Sequence, residues 1–464
     1  MIRRRILLLI FLFLVILIIP QPVKAQDNVS YPQYIVQSGE TLTEIANKFN
    51  VAVDDLIKVN NLSNPNIISE GTRLNIPGLQ GINGILTTQP VGIGQSLDSF
   101  VRTYQANKDF IIKVNKKTSP SEIYAGSNLI IPVDDAKVKM SSGIPLQAGQ
   151  SLLEKSVIQQ TNPWSLIENN NIKISANIIP SEFIFSPSST NSQTISQISP
   201  QLKEVDISPL PLVQGNTIVA QIISLQPVEL NGTLDGNNLN FFQTGENEYT
   251  ALQGINAMAT TGLAPLLLKG NFNDGSSFAF EQSLLLIPGV FAKDPPFQVP
   301  DEMIDPAVTK PEDDFVLSIV KNVSTEKYWD SQFSTPVDQP VCFKSYFGTR
   351  RSYNGSDYTY FHSGLDYGVC ATLNIYAAAP GKVVYTGLLT VRGNATFIDH
   401  GEGVYTGYFH QSEIKVKVGD EVKQGQLIGI IGATGRVTGP HLHFEVWVGG
   451  MQVNPLEWLN KNIP

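Results

Sequence analysis

Histidine placement is the strongest chemical signal in the chain, because all five histidines fall in its last quarter. Imidazole is the usual nitrogen ligand of zinc and the usual general base near neutral pH. His362 and Asp366 are four positions apart, so on an extended segment they share one face. His441 and His443 alternate with apolar residues over 440–448, which predicts a strand carrying both imidazoles on one face. Together these residues predict a metal site.

A three-ligand zinc site leaves one position open for water. Zinc lowers the pKa of bound water towards neutrality, so that hydroxide can attack an amide. Imidazoles that are not ligands can shuttle protons and stabilise the tetrahedral oxyanion. His410 ends a β-rich run and is a candidate for this role, whereas His400, at the tip of a predicted hairpin, is interpreted as structural. Spacing does not show which member of His441-x-His443 would bind the metal.

Several motifs in residues 345–458 resemble the lysostaphin/LytM-type zinc endopeptidases of peptidoglycan. They are Phe347-Gly348-x-Arg350, His362-x-x-x-Asp366, the run 378–384, Tyr408-x-His410 and His441-x-His443. The resemblance implies that Zn²⁺ is held by His362, Asp366 and His443. It implies that His410 and His441 are catalytic. It also implies a mainly antiparallel-β metallopeptidase domain, which we assign to residues 336–464.

Some members of this family also use a tyrosine, for which Tyr358 and Tyr360 are candidates. The resemblance implies hydrolysis of peptide bonds in stem peptides or cross-bridges, and the bond itself stays open. The alternative is a non-catalytic wall-binding protein that activates another murein hydrolase, which the complete ligand set disfavours. The glycine-rich loop 432–439 lacks the features of a phosphate loop and is expected to form a wall of the substrate groove.

The amino-terminal half contains a repeat that could position this domain on its substrate. Gly39 recurs as Gly94 and Gly149, and Asn60 recurs in the same register as Asn115 and Asn170, with an offset of 55 residues. In the first unit, helical periodicity is carried by Leu42, Ile45, Ala46 and Phe49. Each unit is predicted to fold as β-α-α-β.

Residues 34–77 resemble a LysM module, a family that binds glycans containing N-acetylglucosamine, including peptidoglycan. Residues 89–132 form a looser copy and 144–187 a degenerate one, with Pro163 inside its helical stretch. The resemblance implies that the glycan lies between two loops of the first module. The corresponding residues are Gly39, Glu40, Thr41, Asn66, Ile67 and Ile68. Whether the second and third copies bind glycan is left open.

Three further segments separate the repeats from the predicted catalytic domain. Residues 188–203 are rich in Ser and Gln and are interpreted as a linker. Short β-rich runs punctuated by Asn-Gly and Asp-Gly pairs, including 239–242, predict an immunoglobulin-like β-sandwich over 204–290 that acts as a spacer. Residues 291–335 are interpreted as a linker with a short helix capped by Asp314.

Residues 1–25 are typical of a signal peptide, with three arginines before an apolar run from Ile6 to Ile19. Such a run rises about 21 Å as a helix, which is too short for a bilayer core, although an uncleaved anchor is the alternative. We therefore expect a secreted protein of the cell envelope, in the cell wall or periplasm, without a stable membrane anchor. Its expected partner is peptidoglycan, with glycan bound by the LysM modules and peptide by the catalytic domain.

Net charge and cysteine content set two further expectations. The net charge of −9 argues against nucleic acid as a partner. Cys342 and Cys370 are either a disulfide, which export permits, or a pair of buried apolar side chains. The predicted fold class is multidomain: α+β LysM modules, an all-β sandwich and a mainly antiparallel-β metallopeptidase domain.

Overall fold

The computed structural model describes the chain from residue 31 onward, with short gaps. The described residues are 31–79, 82, 84–119, 122–133, 140, 143–146, 150–172, 183–186, 196–301 and 304–464. The predicted signal peptide, Gly149 and residues 188–195 of the predicted linker 188–203 lie outside them. The boundary between two compact units falls between Leu86 and Thr87. Within the described residues, no helix is both long enough and apolar enough to cross a membrane.

The first repeat folds in the predicted β-α-α-β order. Its elements are strand Gln33–Ile35, helices Leu42–Phe49 and Val53–Asn60, and strand Arg73–Asn75. The side chain of Thr41 accepts from the backbone N–H of Glu44, whose carboxylate accepts from the backbone N–H of Thr41. This reciprocal cap satisfies two helix donors that would otherwise lack partners. The apolar face of this first helix is buried, as its periodicity predicts.

The second and third repeats have the same element order. Their elements are Ile85–Pro90, Leu97–Tyr104, Lys108–Val114 and Asn128–Val133, then Ile144–Pro145, Leu152–Ile158, Pro163–Asn169 and Phe183–Ile184. The second repeat therefore begins at Ile85 rather than at 89. Pro163 does not interrupt a helix as expected; it is the first residue of one, where its missing N–H and fixed φ are tolerated.

The asparagines in register perform one task in all three repeats. The side-chain amide of Asn60 donates to Leu56 O and Asn75 O, and its Oδ1 accepts from Asn75 N. Asn115 and Asn170 make the corresponding bonds within their own repeats. Each asparagine thereby joins the end of the second helix to the last strand or, in the third repeat, to the residue directly after it.

Residues 202–287 form two sheets over one apolar core. One sheet has, in spatial order, the strands Asn237–Leu239, Val228–Leu234, Gly262–Phe272, Ser277–Ile287 and Leu212–Val213. The other has Phe242–Gly245, Glu248–Gly254, Thr217–Ser224 and Leu202–Ser208. The single strand expected over 239–242 is wrong, because the chain passes from one sheet to the other between Leu239 and Phe242.

A ten-stranded, mainly antiparallel sheet dominates the carboxy-terminal region. Its continuous path is Phe343–Ser345, Leu365–Tyr367, Leu442–Val448, Val404–Ile414, Gly393–Gly401, Gly381–Leu389 and Glu421–Val422. Asn374–Tyr376, Leu427–Ile431 and Met451–Val453 pair beside this path. Strands Arg350–Arg351 and Tyr360–Phe361 form a separate pair, and helix Pro455–Asn460 follows the sheet. Cys342 and Cys370 form a disulfide.

Residues 291–335 are not a free linker, contrary to expectation. Their helix is Pro306–Val320, and Asp305 caps it instead of Asp314. Val316 and Val320 of this helix are fully buried against aromatic residues of the sheet, and Trp329 and Phe333 enter the main apolar core. The prolines and acidic residues that suggested a linker are accommodated because Pro306 begins the helix and because Glu312 and Asp313 are paired with Arg392 of the sheet domain.

Candidate active site

Strand register brings the three predicted metal ligands together. Asp366 lies opposite His443 across neighbouring strands. Asp366 Oδ1 is 2.7 Å from His443 Nδ1 and 3.0 Å from His362 Nε2, and the two ring nitrogens are 3.0 Å apart. One ligand atom from each residue therefore lies within 4.8 Å of the other two, and the described residues contain no other group of three such residues.

The outer ring nitrogens of both histidines are bound to groups that can only accept. His362 Nδ1 donates to the carbonyl oxygen of Tyr346 at 3.1 Å, and His443 Nε2 donates to the carboxylate of Glu445 at 3.2 Å. A nitrogen that donates to an acceptor must carry the hydrogen of a neutral imidazole. The inner nitrogens, His362 Nε2 and His443 Nδ1, which contact Asp366 Oδ1, are therefore the ones that would bind a metal once they carry no proton, as in metal-binding histidines.

The two predicted catalytic histidines lie beside this cluster. The rings of His410 and His441 are 4.9 Å apart, and His441 Nε2 is 3.7 Å from Asp366 Oδ1. His410 Nδ1 donates to Thr434 O and His441 Nδ1 donates to Gly439 O, both at 2.9 Å. Both rings therefore keep Nε2 as the nitrogen that can accept a proton. The structure thus brings all five predicted residues of the site together.

His410 occupies an unusual backbone conformation within its strand. Its φ is 61°, in the left-handed region that a residue with a side chain seldom adopts. Pairing with the neighbouring strand shifts register here, between the pairs Thr396–Tyr408 and Asn394–Gln411. The shift frees the N–H of His410 from the ladder, and it donates to Arg392 O at 2.9 Å. An irregularity of this kind redirects a side chain, here into the cluster.

Burial and hydrogen bonding separate the pKa values of the site. Burial alone would raise the pKa of Asp366, but hydrogen bonds from His362 and His443 hold it below its usual range. Burial alone would lower the pKa of His443, but the carboxylates of Asp366 and Glu445 raise it to about 9. Burial and the neighbouring charge on His443 lower the pKa of His410 to about 3. His410 is therefore neutral near pH 7.

Glu445 is a site residue that the sequence reasoning missed. It is buried, and its carboxylate accepts from His443 Nε2, Trp447 Nε1 and Gln452 Nε2. Burial alone would raise the pKa of Glu445, but the bond from His443 and the charge of Arg392 lower it to about 2. The signal was present, since Glu445 follows His443 by two positions and shares its strand face.

A cleft of about 600 Å³ contains these groups. Its walls include Arg436, Val437 and Thr438 of the glycine-rich loop, as well as Phe297 and Val299 of the segment expected to be a linker. Of the two candidate tyrosines, Tyr360 lines the cleft. The hydroxyl of Tyr358 instead donates to Asp294 O at 3.1 Å.

His400 is fully buried away from this cluster, at the end of its strand. Its Nδ1 donates to Pro380 O at 2.6 Å, and its Nε2 is 2.8 Å from Thr406 Oγ1. Both ring nitrogens therefore have partners within the fold, which agrees with a structural residue.

The residues predicted to bind glycan lie on two loops at one end of the first repeat. Strands Gln33–Ile35 and Arg73–Asn75 are antiparallel, so the loop after the first and the loop before the second emerge together. Gly39, with φ 79°, forms the turn. The side chain of Thr41 caps a helix. The carboxylate of Glu40 accepts from Tyr34 Oη and Lys48 Nζ.

The second loop presents its side chains outward. Asn66 is exposed, Ile68 is half-buried, and Ile67 is a large apolar side chain with 71% of its surface exposed. The side chains of Glu40 and Thr41 therefore support the loop, and Ile67 offers an apolar contact surface.

Comparison with protein families identifies two regions of the chain. Residues 360–455 match the family described as Peptidase family M23, and residues 34–77 match the LysM domain. The chain therefore carries a peptidase M23 domain, from a family of metallopeptidases, and a LysM domain.

Relatives of known name align with the carboxy-terminal region. The chain is 40% identical over 129 residues to the peptidoglycan DD-endopeptidase ShyA of Vibrio cholerae, covering 28% of this chain and 29% of ShyA. It is 41% identical over 95 residues to the DD-carboxypeptidase/endopeptidase Mpg of Neisseria meningitidis, covering 20% of this chain and 22% of Mpg. The chain thus spans less than a third of the length of these relatives.

Among solved structures, the catalytic domain of lysostaphin from Staphylococcus simulans is similar to the chain. The two are 29% identical with a TM-score of 0.21, over 29% of this chain and 93% of that domain.

Proposed function

We propose that the protein is a secreted zinc metalloendopeptidase that hydrolyses peptide bonds in the stem peptides or cross-bridges of peptidoglycan. The observation that carries the proposal is the convergence of His362, Asp366 and His443 beside His410 and His441. Each of the four histidines donates one ring N–H to a fixed acceptor, which leaves its other ring nitrogen directed towards the cluster. The names of ShyA and Mpg support D,D peptide bonds as the target.

The donor set fits zinc. Two imidazole nitrogens and one carboxylate oxygen are a ligand set of catalytic zinc sites, and His362 and His443 have their outer nitrogens held by Tyr346 O and Glu445. When bound, zinc would supply Lewis-acid activation of water and of the scissile carbonyl. Since the pKa of His443 is raised to about 9, the proton on its Nδ1 would have to leave before that nitrogen binds a metal.

The remaining histidines perform the proton transfers in this proposal. His410 Nε2 takes the proton of the attacking water, because Nδ1 is already committed to Thr434 O. His410 then returns that proton to the leaving amine, and His441, in its protonated form, donates from Nε2 to the oxyanion. Tyr360 lines the same cleft and is the better placed of the two tyrosines to contact substrate.

The proposal is tested with the full chain and purified peptidoglycan, with released fragments identified by mass spectrometry. We expect the wild type to be active, to lose activity after chelation and to regain it with zinc. His443→Ala should release no fragments, whereas His400→Gln, which removes another buried histidine, should retain activity under conditions where it is folded. Undiminished cleavage by His443→Ala would favour a wall-binding activator of another hydrolase.

We further propose that the chain reaches the envelope through a signal peptide at residues 1–25 and binds glycan through residues 34–77. The exposed Ile67 and the turn at Gly39 support binding between the two loops. Residues 89–132 and 144–187 are proposed to be LysM-like, and residues 204–290 an immunoglobulin-like spacer. A tether of this kind raises the concentration of the peptidase at an insoluble substrate. Binding of soluble N-acetylglucosamine oligomers, measured by titration, tests the glycan site.

A further inference from the structure

A buried carboxylate lies outside the region matched by the peptidase family and yet adjoins its active site. Glu312, on helix Pro306–Val320, is only 7% exposed. Its two oxygens accept from Val391 N at 2.7 Å, from Arg392 N at 3.1 Å and from Arg392 Nη1 at 3.0 Å. Three donors thus converge on one side chain, and two of them are backbone amides of a single turn.

This turn holds His410 in two ways. Arg392 O accepts the backbone N–H of His410, and Val391 O accepts the N–H of Arg436, both at 2.9 Å. The second bond anchors the loop containing Thr434, whose carbonyl oxygen accepts from His410 Nδ1 at 2.9 Å. Both the backbone and the ring of His410 therefore depend on the turn that Glu312 fixes.

The conformation of His410 makes this support consequential. A non-glycine residue with a φ of 61° persists only where its surroundings hold it there. The ladder does not hold it, because strand pairing is interrupted at this position. The bond to Arg392 O replaces the missing ladder bond.

We propose that Glu312 is a positioning residue for His410, acting through the turn 391–392. The inference rests on the proposed function, in which His410 moves the proton. Only a carboxylate of this length satisfies the site: a glutamine would turn an N–H₂ towards one of three donors, and an aspartate is one methylene too short to span both amides. The peptidase unit accordingly begins with the helix Pro306–Val320 and not at residue 336.

The matched control is Asp313, the neighbouring acidic residue. Asp313 Oδ1 accepts from Arg392 Nη1 at 3.0 Å but receives neither backbone amide. Asp313→Asn therefore removes the same type of charge and a bond to the same guanidinium while leaving the turn held.

The test is a double-mutant cycle in the full, zinc-loaded chain. For Glu312→Gln we expect kcat on peptidoglycan fragments to fall about 10- to 100-fold, as misplacement of a catalytic group does, with KM and zinc content unchanged. Asp313→Asn should keep kcat within about threefold of wild type. Glu312→Gln combined with His410→Ala should be no slower than His410→Ala alone, because both changes remove one function.

Additive losses in the double variant, or an unchanged kcat in Glu312→Gln, would overturn the inference while leaving the proposed function intact. If the wild type itself cleaves nothing, the proposed function fails, and nitrogen NMR of the His410 ring still decides the positioning role. Loss of the Nδ1–H bond in Glu312→Gln but not in Asp313→Asn supports that role, and its retention in both contradicts it. Should Glu312→Gln fail to fold, Glu312→Asp takes its place.

Discussion

In the first repeat, polar side chains bond to groups that build the fold. Thr41 caps a helix, Glu40 accepts from a tyrosine and a lysine, and Asn60 bonds to the last strand. In the catalytic cleft, the polar side chains of His362, Asp366 and His443 are bonded to one another. The first set maintains a backbone shape and leaves contact with a ligand to exposed groups such as Ile67. The second set directs two nitrogen atoms and one oxygen atom towards one point, as the binding of a metal ion requires.

The largest effect expected from this difference is at His410. His410→Ala should lower kcat by about 10²- to 10⁴-fold, because it removes a general base, while zinc content stays at the wild-type level since His410 is not among the three clustered ligands. Single-turnover cleavage together with metal analysis checks both expectations. Loss of zinc in parallel with activity would show that His410 belongs to the ligand set instead.

His400 lies in the same domain as the cleft, but we expect it to affect stability, as the polar residues of the first repeat do. Burial lowers the pKa of His400 to about 4, from the ordinary value of 6.5. Between these pH values the unfolded chain binds a proton that the native chain does not. The free energy of unfolding should therefore decrease as pH falls from about 6.5 to about 4, by up to about 3 kcal/mol.

The measurement is urea unfolding of the full chain across that pH range, compared with His400→Gln. The variant should show a correspondingly weaker dependence on pH. An identical slope in the two proteins would mean that His400 is not the group responsible.

Glu445 combines a supporting role with a role in the metal site. Its carboxylate accepts from Trp447 and Gln452, and it also accepts from His443, a proposed metal ligand. Glu445→Gln should weaken zinc binding about 10- to 100-fold, because an outer partner of a ligating histidine fixes its ring and tautomer. Competition with a chromophoric chelator measures the affinity. Gln452→Ala, which removes one donor to Glu445 and no ligand contact, is the matched control and should change affinity much less.

The smallest effects are expected in the first repeat. There, one substitution should change the stability of a helix and another should change glycan binding. Thr41→Ala should destabilise helix Leu42–Phe49 by about 1 kcal/mol through loss of its cap. Ile67→Ser should weaken binding of N-acetylglucosamine oligomers about fivefold through lost apolar contact and leave the helix unaffected. Hydrogen exchange of residues 42–49 and oligomer titration record the two quantities. If Thr41→Ala abolishes binding without affecting exchange, Thr41 contacts the glycan directly.

Patterns confined to short stretches of chain determined a large part of this protein. Alternation identified the strand that carries His443, although this strand begins at Leu442 and His441 lies in an isolated bridge before it. Helical spacing in the first repeat identified the buried face of Leu42–Phe49. The recurrence of Asn60, Asn115 and Asn170 marked three equivalent hydrogen-bonded positions. These features follow from the period of a helix or strand and from local bonding, which the order of residues specifies directly.

Only the tertiary structure determined the role of residues 291–335 and the conformation of His410. The acidic, proline-rich composition of residues 291–335 predicted a linker. The prediction failed because Glu312 is paired with Arg392, which is 80 positions away in the sequence. The same holds for the left-handed φ of His410, which depends on a carbonyl oxygen from a neighbouring turn. A residue's local sequence cannot specify a partner that only the folded sheet brings within hydrogen-bonding distance, and the supporting groups of this active site are of that kind.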